Sequence, residues 1–295
     1  MPTQEIPQTG AARLSVTRNI TIDLPPAAAW RLVGGFGSLE NWHPAVAESN
    51  IIRGVENAVG AVRRLTLMDG SSLQEQLMTH EPAKMRMRYR INASGAGGDE
   101  NAEPAGFAHF PVSDYISDLS VAPAGRRHTS PASLVTWHGE FLRADSSETP
   151  ADGRDDQAAI RVVTGIYETG LESLAHIASD TLSIQRVIGL YADGGSNGDA
   201  SMVAKAFHAS ATMKFVRNGV LVDEPIAAFL KNYIPAGLKQ NRAVRIDSID
   251  IRGTAASARL TIDYPTHQFI DYFNLLKVNG EWLVYSKIFH RIDKA

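Results

Sequence analysis

The residues best placed for chemistry lie near the end of the chain, in FIDYFNLLKVNGEWLVYSKIFH at 269–290. Asn279-Gly280 is a two-residue hairpin signal, so Val278 should face Glu281. Counting back from that turn sets Phe273 opposite Ser286 and Asp271 opposite Ile288. One face then carries Asp271, Phe273, Leu275, Trp282, Val284 and Ile288, with His290 diagonal to Asp271. The other carries Tyr272, Asn274, Leu276, Leu283, Tyr285 and Lys287. The first set is the more apolar and is expected to point inward. A carboxylate enclosed by apolar side chains holds its proton more tightly than one in water, the tuning a general acid or base needs near neutral pH. Asp271 is therefore the candidate acid/base, with His290, His208 of the FHAS segment and Tyr191 of IQRVIGLYADG as assisting groups and Phe273 as a ring against the substrate. Each also has a structural reading: Asp271 bonded to backbone or His290, His208 capping a helix, and Tyr191 in plain packing.

A second constellation lies upstream. Strand parity turns Arg63 and Glu75 the same way as Leu65, Leu67, Leu73 and Leu77, which places a charged pair among apolar neighbours. Such a pair either ties two strands together or anchors the polar end of a ligand, because a buried charge is costly unless paired. The same counting turns Tyr89, Tyr115 and Trp137 inward, as core aromatics or as ligand platforms. Lys84, Arg86, Arg88 and Arg90 alternate outward and read as a solvated strand face.

The elements that must position these groups are legible. Leu14, Val16, Ile20 and Ile22 alternate as a half-buried strand, and Pro25-Pro26 opens a helix through Trp30 and Val33. Strands follow at Val46–Ile52, Gly60–Met68, Ser71–Thr79 and Lys84–Ile91, with Asp69-Gly70 as a hairpin turn, and then at Asp114–Val121 and Ser133–Arg143. A helix covers Ile160–Ile177, with Ile166, Leu171, Leu174 and Ile177 along one side. Residues 1–12 form a loose polar tail. The Gly/Pro/acid-rich stretches Ala93–His109 and Ala144–Ala159 read as mobile loops, the first where a lid over a pocket can sit. A boundary is expected near Ser179–Thr181, where Thr181 or Ser183 caps a new helix carrying Ile184, Val187, Ile188 and Tyr191. Asp199–Phe207 is a further helix, GLYADGGSNGDA a turn between the two, and Pro225–Tyr233 another helix. Four strands close the chain: Ala243–Arg252, Ala255–Asp263, Gln268–Val278 and Glu281–His290.

Several classes are excluded or disfavoured. With no cysteine, thiol nucleophiles, disulfides and thiolate metal sites are impossible. The net charge of -3 argues against nucleic acid as a partner. No phosphate loop, GxSxG elbow, HExxH or His-x-His spacing occurs, so neither cofactor nor metal is expected. No run is long enough to cross a membrane and no signal segment is evident, which makes the cytoplasm the expected location.

The first half resembles the polyketide cyclase/dehydratase branch of the Bet v 1/START (SRPBCC) superfamily. The resemblance rests on WHPAV at 42–46, the strand with Arg63, LQEQLM around Glu75, FPVSDY at 110–115, VTWHGEF at 135–141 and IYETGLESL at 166–174, in family order over residues 13–179. It implies a helix-grip fold, a curved antiparallel sheet around a long helix, with a cavity for apolar or aromatic ligands. Residues 180–295 resemble the NTF2-like superfamily in its lumazine-binding branch, and are similar to SnoaL-type cyclases and ketosteroid isomerases, through IQRVIGLYADG, GDASMVAKAFHASATM and IDYFNLLKVNGEWLVYSKIF. That implies a cone-shaped α+β barrel, and a homodimer through the sheet face holding Tyr272, Tyr285 and Lys287.

The fold class is thus α+β in two domains. Three functions fit: a cofactor-independent cyclase, dehydratase or isomerase of a polyketide-like or aromatic substrate; a carrier of an aromatic or lipid-like ligand; and a scaffold whose second half makes a dimer.

Overall fold

The computed structural model describes residues 13–91, 110–127 and 130–294; the expected tail at 1–12 and the expected insert at 93–109 lie outside the described residues. The chain forms two compact units, Met1–Ala178 and Ser179–Ala295, each with its own sheet.

The first unit contains β1 (Leu14–Ile22), α1 (Pro26–Val33), β2 (Val46–Arg53), β3 (Val62–Leu67), β4 (Ser72–Glu81), β5 (Arg86–Ile91), β6 (Val112–Arg127) and β7 (Ser130–Arg143). The strands form an antiparallel sheet in the order β1-β7-β6-β5-β4-β3-β2. Period-2 burial runs as the alternation requires: Tyr115, Ser117, Leu119 and Val121 are buried on β6, and Val135, Trp137 and Phe141 on β7. The loop after β7 is tied down rather than loose, because Arg143 donates to the carbonyls of Asp145 and Ser147 and pairs with Asp156 at 2.9 Å.

Helix α2 (Asp156–Asn197) is one uninterrupted helix of 42 residues. The expected break at Thr181 and the expected turn at GLYADGGSNGDA are both corrected. Ser183 does not cap a new helix but donates to the carbonyl of Ser179 one turn back. The buried stripe in the first unit is Val163, Tyr167, Leu171, Leu174 and Ala178, at helical spacing; Ile166 and Ile177 lie at its margin.

The second unit continues with α3 (Ala200–Ala204), β8 (Phe207–Arg217), β9 (Val220–Pro225), α4 (Ile226–Tyr233), β10 (Ala243–Arg252), β11 (Ala255–Asp263), β12 (His267–Val278) and β13 (Glu281–Asp293). The Asp199 side chain caps α3 by accepting from the Met202 N–H. The expected helix Asp199–Phe207 is shorter because β8 begins at Phe207. The sheet order is β10-β11-β12-β13-β8-β9, antiparallel except for the parallel pair β13–β8. Leu260, Ile262, Phe273, Leu275, Trp282 and Val284 fill the core with Ile184, Ile188 and Tyr191 of α2.

The β12–β13 hairpin decides which side chains reach that core. Asn279 and Gly280 both have positive φ, as the Asn-Gly turn demands, and Val278 faces Glu281. The ladder is regular only as far as Leu275↔Val284. Asn274 then faces Ser286, which leaves Tyr285 as an extra residue on β13. This bulge shifts everything beyond it by one position. Phe273 faces Lys287 and Asp271 faces Phe289, not Ser286 and Ile288. Lys287 therefore turns inward, 4% exposed, while Ile288 and His290 turn outward.

Candidate functional site

The bulge brings a lysine and an aspartate together in the interior of the second unit. Lys287 Nζ lies 2.9 Å from Asp271 Oδ2, and Asp271 is 0% exposed. Tyr191, on α2, donates its hydroxyl to the same oxygen at 2.8 Å and accepts from Lys287 at 2.9 Å. The three groups form a closed triangle. Asp271 Oδ1 is buried with no hydrogen-bond partner among the described residues. Burial pushes the Lys287 ammonium below its ordinary pKa, and the Asp271 charge opposes that shift. Burial and the neighbouring Asp271 carboxylate push the Tyr191 hydroxyl well above its ordinary value, so it stays protonated.

Lys287 and Tyr191 stand in the wall of a cavity of about 300 Å³. The remaining wall is largely aromatic, with Phe215, Phe229, Tyr233, Tyr264, Phe269 and Phe289. Phe215 stacks on Phe289 at 4.6 Å, and the ammonium sits 4.7 Å from the Phe289 ring centre. His267 also lines the cavity, stacked on Tyr264 at 4.6 Å, and burial lowers its pKa below the usual 6.5.

Arg242, in the segment before β10, completes the wall. It donates to Ser196 Oγ, to the Tyr264 hydroxyl and to the carbonyls of Ala192 and Tyr191 near the end of α2. Its seat depends on a missing side chain: a Cβ at Gly195 would lie 2.0 Å from Arg242 Nη2. Part of the glycine-rich run at the end of α2 is thus explained by the approach of a guanidinium.

Of the residues expected here, the structure brings Asp271 and Tyr191 together and leaves the histidines out. Asp271 is not a lone carboxylate on the cavity wall; it stands behind Lys287. His290 opposes Ile270 on the outer face, because the bulge reverses parity before it is reached. His208 is one residue past the inward Phe207, on a strand rather than at a helix end, and stacks on the bulged Tyr285 at 4.5 Å. Phe273 is wholly buried behind the site, 5.0 Å from the Tyr191 ring. Lys287, assigned from parity to a dimer face, belongs to the interior. Lys287, Arg242 and His267 are the residues that sequence reasoning missed. Only the glycines at 194 and 195 hinted that something packs closely against the helix.

In the first unit Arg63 and Glu75 are joined at 2.5 Å, both buried. Arg63 also donates to the Phe36 carbonyl and lies over the Phe36 ring at 4.4 Å. Burial outweighs Arg63 and pushes the Glu75 carboxyl above its usual range. Glu75, Tyr89, Tyr115 and Trp137 line a cavity of about 80 Å³; Arg63 stands behind Glu75 and does not line it. Trp137 donates to Tyr89 and to Ser117, both at 2.9 Å, and stacks on Tyr167 at 4.4 Å. Tyr115 and Tyr167 share a 2.6 Å hydrogen bond. These groups are mutually satisfied, which suits a rigid wall.

Two family models divide the chain. The family described as "Polyketide cyclase / dehydrase and lipid transport" matches residues 13–178, and the one described as "Putative lumazine-binding" matches residues 179–290. The chain belongs to the polyketide cyclase/dehydrase and lipid transport family through its first unit, and its second unit is a lumazine-binding-type, NTF2-like domain. Solved structures similar to the first unit include an uncharacterised protein from Bacillus thuringiensis (30% identity, 56% of this chain and 98% of that one, TM-score 0.43). The protein XoxI from Bacillus cereus is another (29% identity, 57% and 96%, TM-score 0.43). An NTF2-like protein of unknown function from Shewanella baltica is 36% identical over 38% of this chain and 94% of that one, with a TM-score of 0.36. Among curated proteins no relative matches the chain. The families define a small-molecule-binding or cyclase-type fold. Among the described residues no helix is long and apolar enough to cross a membrane.

Proposed function

We propose that the second unit is a cofactor-independent acid–base catalyst acting on a ring-containing, largely apolar molecule, in a reaction of the cyclase, dehydratase or isomerase type. The observation that carries this reading is the buried Asp271–Lys287–Tyr191 triangle at the wall of an aromatic cavity. Burying such a pair gives little stability in itself, since well-packed apolar residues of similar volume serve as well or better. A cavity of about 300 Å³ is at the lower end of the range, about 300–1,000 Å³, that small-molecule sites occupy, whereas about 80 Å³ in the first unit is below it.

In this scheme Lys287 spends one N–H on Asp271 and one on Tyr191, and turns the third toward the substrate oxygen, where it stabilises a developing enolate. Asp271 and Tyr191 are positioning residues that fix the ammonium. His267, in the same wall and with its pKa lowered by burial, takes the carbon-bound proton. The test is deuterium incorporation alpha to the carbonyl of 2-tetralone in D₂O, followed by NMR. The scheme predicts exchange about 10²–10⁴-fold faster than in variants Lys287→Met or His267→Asn. Equal rates in all three proteins refute it.

A second reading, a carrier without chemistry, is favoured by one observation: Asp271 is wholly buried and off the cavity wall. Tight binding of 2-tetralone with no exchange would select it. The further proposals are that the first sheet grips α2 in helix-grip fashion around an apolar ligand, that the second sheet closes as a cone, and that the protein works in the cytoplasm. A homodimer through the outer sheet face is also proposed, supported by the exposed Tyr272, Leu276 and Ile288; a Tyr272→Glu variant that sediments like the wild type would overturn it.

A further inference from the structure

On the reading of the second cavity as a ring-binding site, we infer that its ligand carries one negative charge, a carboxylate or ionised enol on a planar ring, turned toward Arg242 and Lys287. The charges on the wall are unequal. Lys287 is answered by Asp271 at 2.9 Å, whereas Arg242 has no carboxylate within ion-pairing distance among the described residues. Neither the His267 imidazole nor the Tyr191 hydroxyl, whose proton is held by burial, brings a negative charge to offset the difference. The side chains lining the cavity therefore sum to a net charge of about +1 on a largely aromatic wall, with Glu224 held one residue behind it by Tyr233.

The donors point the same way. Of the five guanidinium N–H groups of Arg242, four are used by Ser196, Tyr264 and the carbonyls of Ala192 and Tyr191, which leaves one on Nη1. Lys287 likewise has one N–H beyond Asp271 and Tyr191. Backbone carbonyls at the end of α2 offset part of the cost of enclosing the guanidinium but bring no net charge. The seat is built rather than incidental, since Gly195 is the space the guanidinium fills and the rings of Tyr191 and Tyr264 lie 5.8 and 5.9 Å from it. The stacked Phe215–Phe289 pair favours a flat partner.

The test is titration calorimetry of the full chain with 2-naphthoate and with 2-naphthamide, which share a ring system and differ in charge. The naphthoate is expected to bind about 10–100-fold more tightly, the range of a charge-assisted hydrogen bond. Arg242→Gln should abolish the preference for naphthoate over the amide, and amide binding that persists shows the cavity intact. Arg242→Lys, which keeps the charge, should keep most of the preference and holds the test open if Arg242→Gln fails to fold. Equal affinities in the wild type, or a preference that survives Arg242→Gln, would overturn the charge inference and leave the cavity as a site for neutral rings. Binding of neither probe would overturn both.

Discussion

Replacing Lys287 with Met gives the sharpest stability test, because the structure fixes what is left behind. Lys287 is 4% exposed and Asp271 0% exposed. Met fills most of the lysine's volume but leaves the carboxylate with only the Tyr191 hydroxyl, a neutral partner, at 2.8 Å. Breaking a buried pair in this way costs about 3–5 kcal/mol, a large part of the roughly 5–15 kcal/mol that holds a domain folded. The double variant Asp271→Leu/Lys287→Met removes both charges and fills both volumes, so it should return to within about 1 kcal/mol of the wild type or exceed it. Asp271→Leu alone should cost less than Lys287→Met, since burial already eases release of the lysine proton. Trp282 is the one tryptophan of residues 179–295. With 5-fluorotryptophan, its ¹⁹F signal separates this unit from Trp30, Trp42 and Trp137 during urea unfolding. A cost below about 1 kcal/mol for Lys287→Met, or a double variant as unstable as the single, refutes the buried-pair reasoning.

Three further outcomes follow. Because burial lowers the Lys287 pKa below its unfolded value of 10.5, the unfolded state binds more protons between the two values. Wild-type stability, measured against the double variant by urea unfolding, should therefore rise with pH across that window and be flat below it. Arg63→Met leaves Glu75 enclosed without its cation and should cost the first unit about 3–5 kcal/mol at pH 7; since the Glu75 carboxyl already titrates high, that cost should shrink as the pH falls toward 5, which thermal melts would show. Gly195→Ala puts a methyl group where the flexible end of Arg242 now lies, so the guanidinium must move; stability should change by less than about 1 kcal/mol, because alanine favours the helix, while the preference for 2-naphthoate over 2-naphthamide is reduced in calorimetry.

The architecture was readable because it rests on short-range rules. Strands β1 to β7 and β10 to β13 announce themselves by alternation, and the Asn279-Gly280 turn sets a hairpin whose first pairs are observed as counted. Parity arguments succeeded on Arg63, Glu75, Tyr89 and Trp137 because no bulge lies between those residues and the points they were counted from; Tyr115 is also buried, although the β6–β7 register shifts between Ser113 and Ile116. The count failed past Tyr285 for one physical reason: a single unpaired residue exchanges the faces of all that follow. That exchange moved Lys287 in and His290 out. At the bulge Tyr285 stacks on His208, a residue distant in the sequence, and β8 carries its own irregularity against the same stretch of β13. Arg242 was invisible because a lone arginine between strands has no periodicity. The continuity of α2 was missed because Thr181 and Ser183 look like caps, yet no proline stops the helix there and both fit within its interior.

The most direct measurement of the central claim is a crystal structure of the protein with 2-naphthoate. The account predicts Lys287 Nζ within about 3 Å of Asp271, with the aromatic ring in the 215–289 cavity and its carboxylate on Lys287 and Arg242. A Lys287 side chain turned to solvent on a regular β13 ladder, or a naphthoate lodged elsewhere, would contradict it.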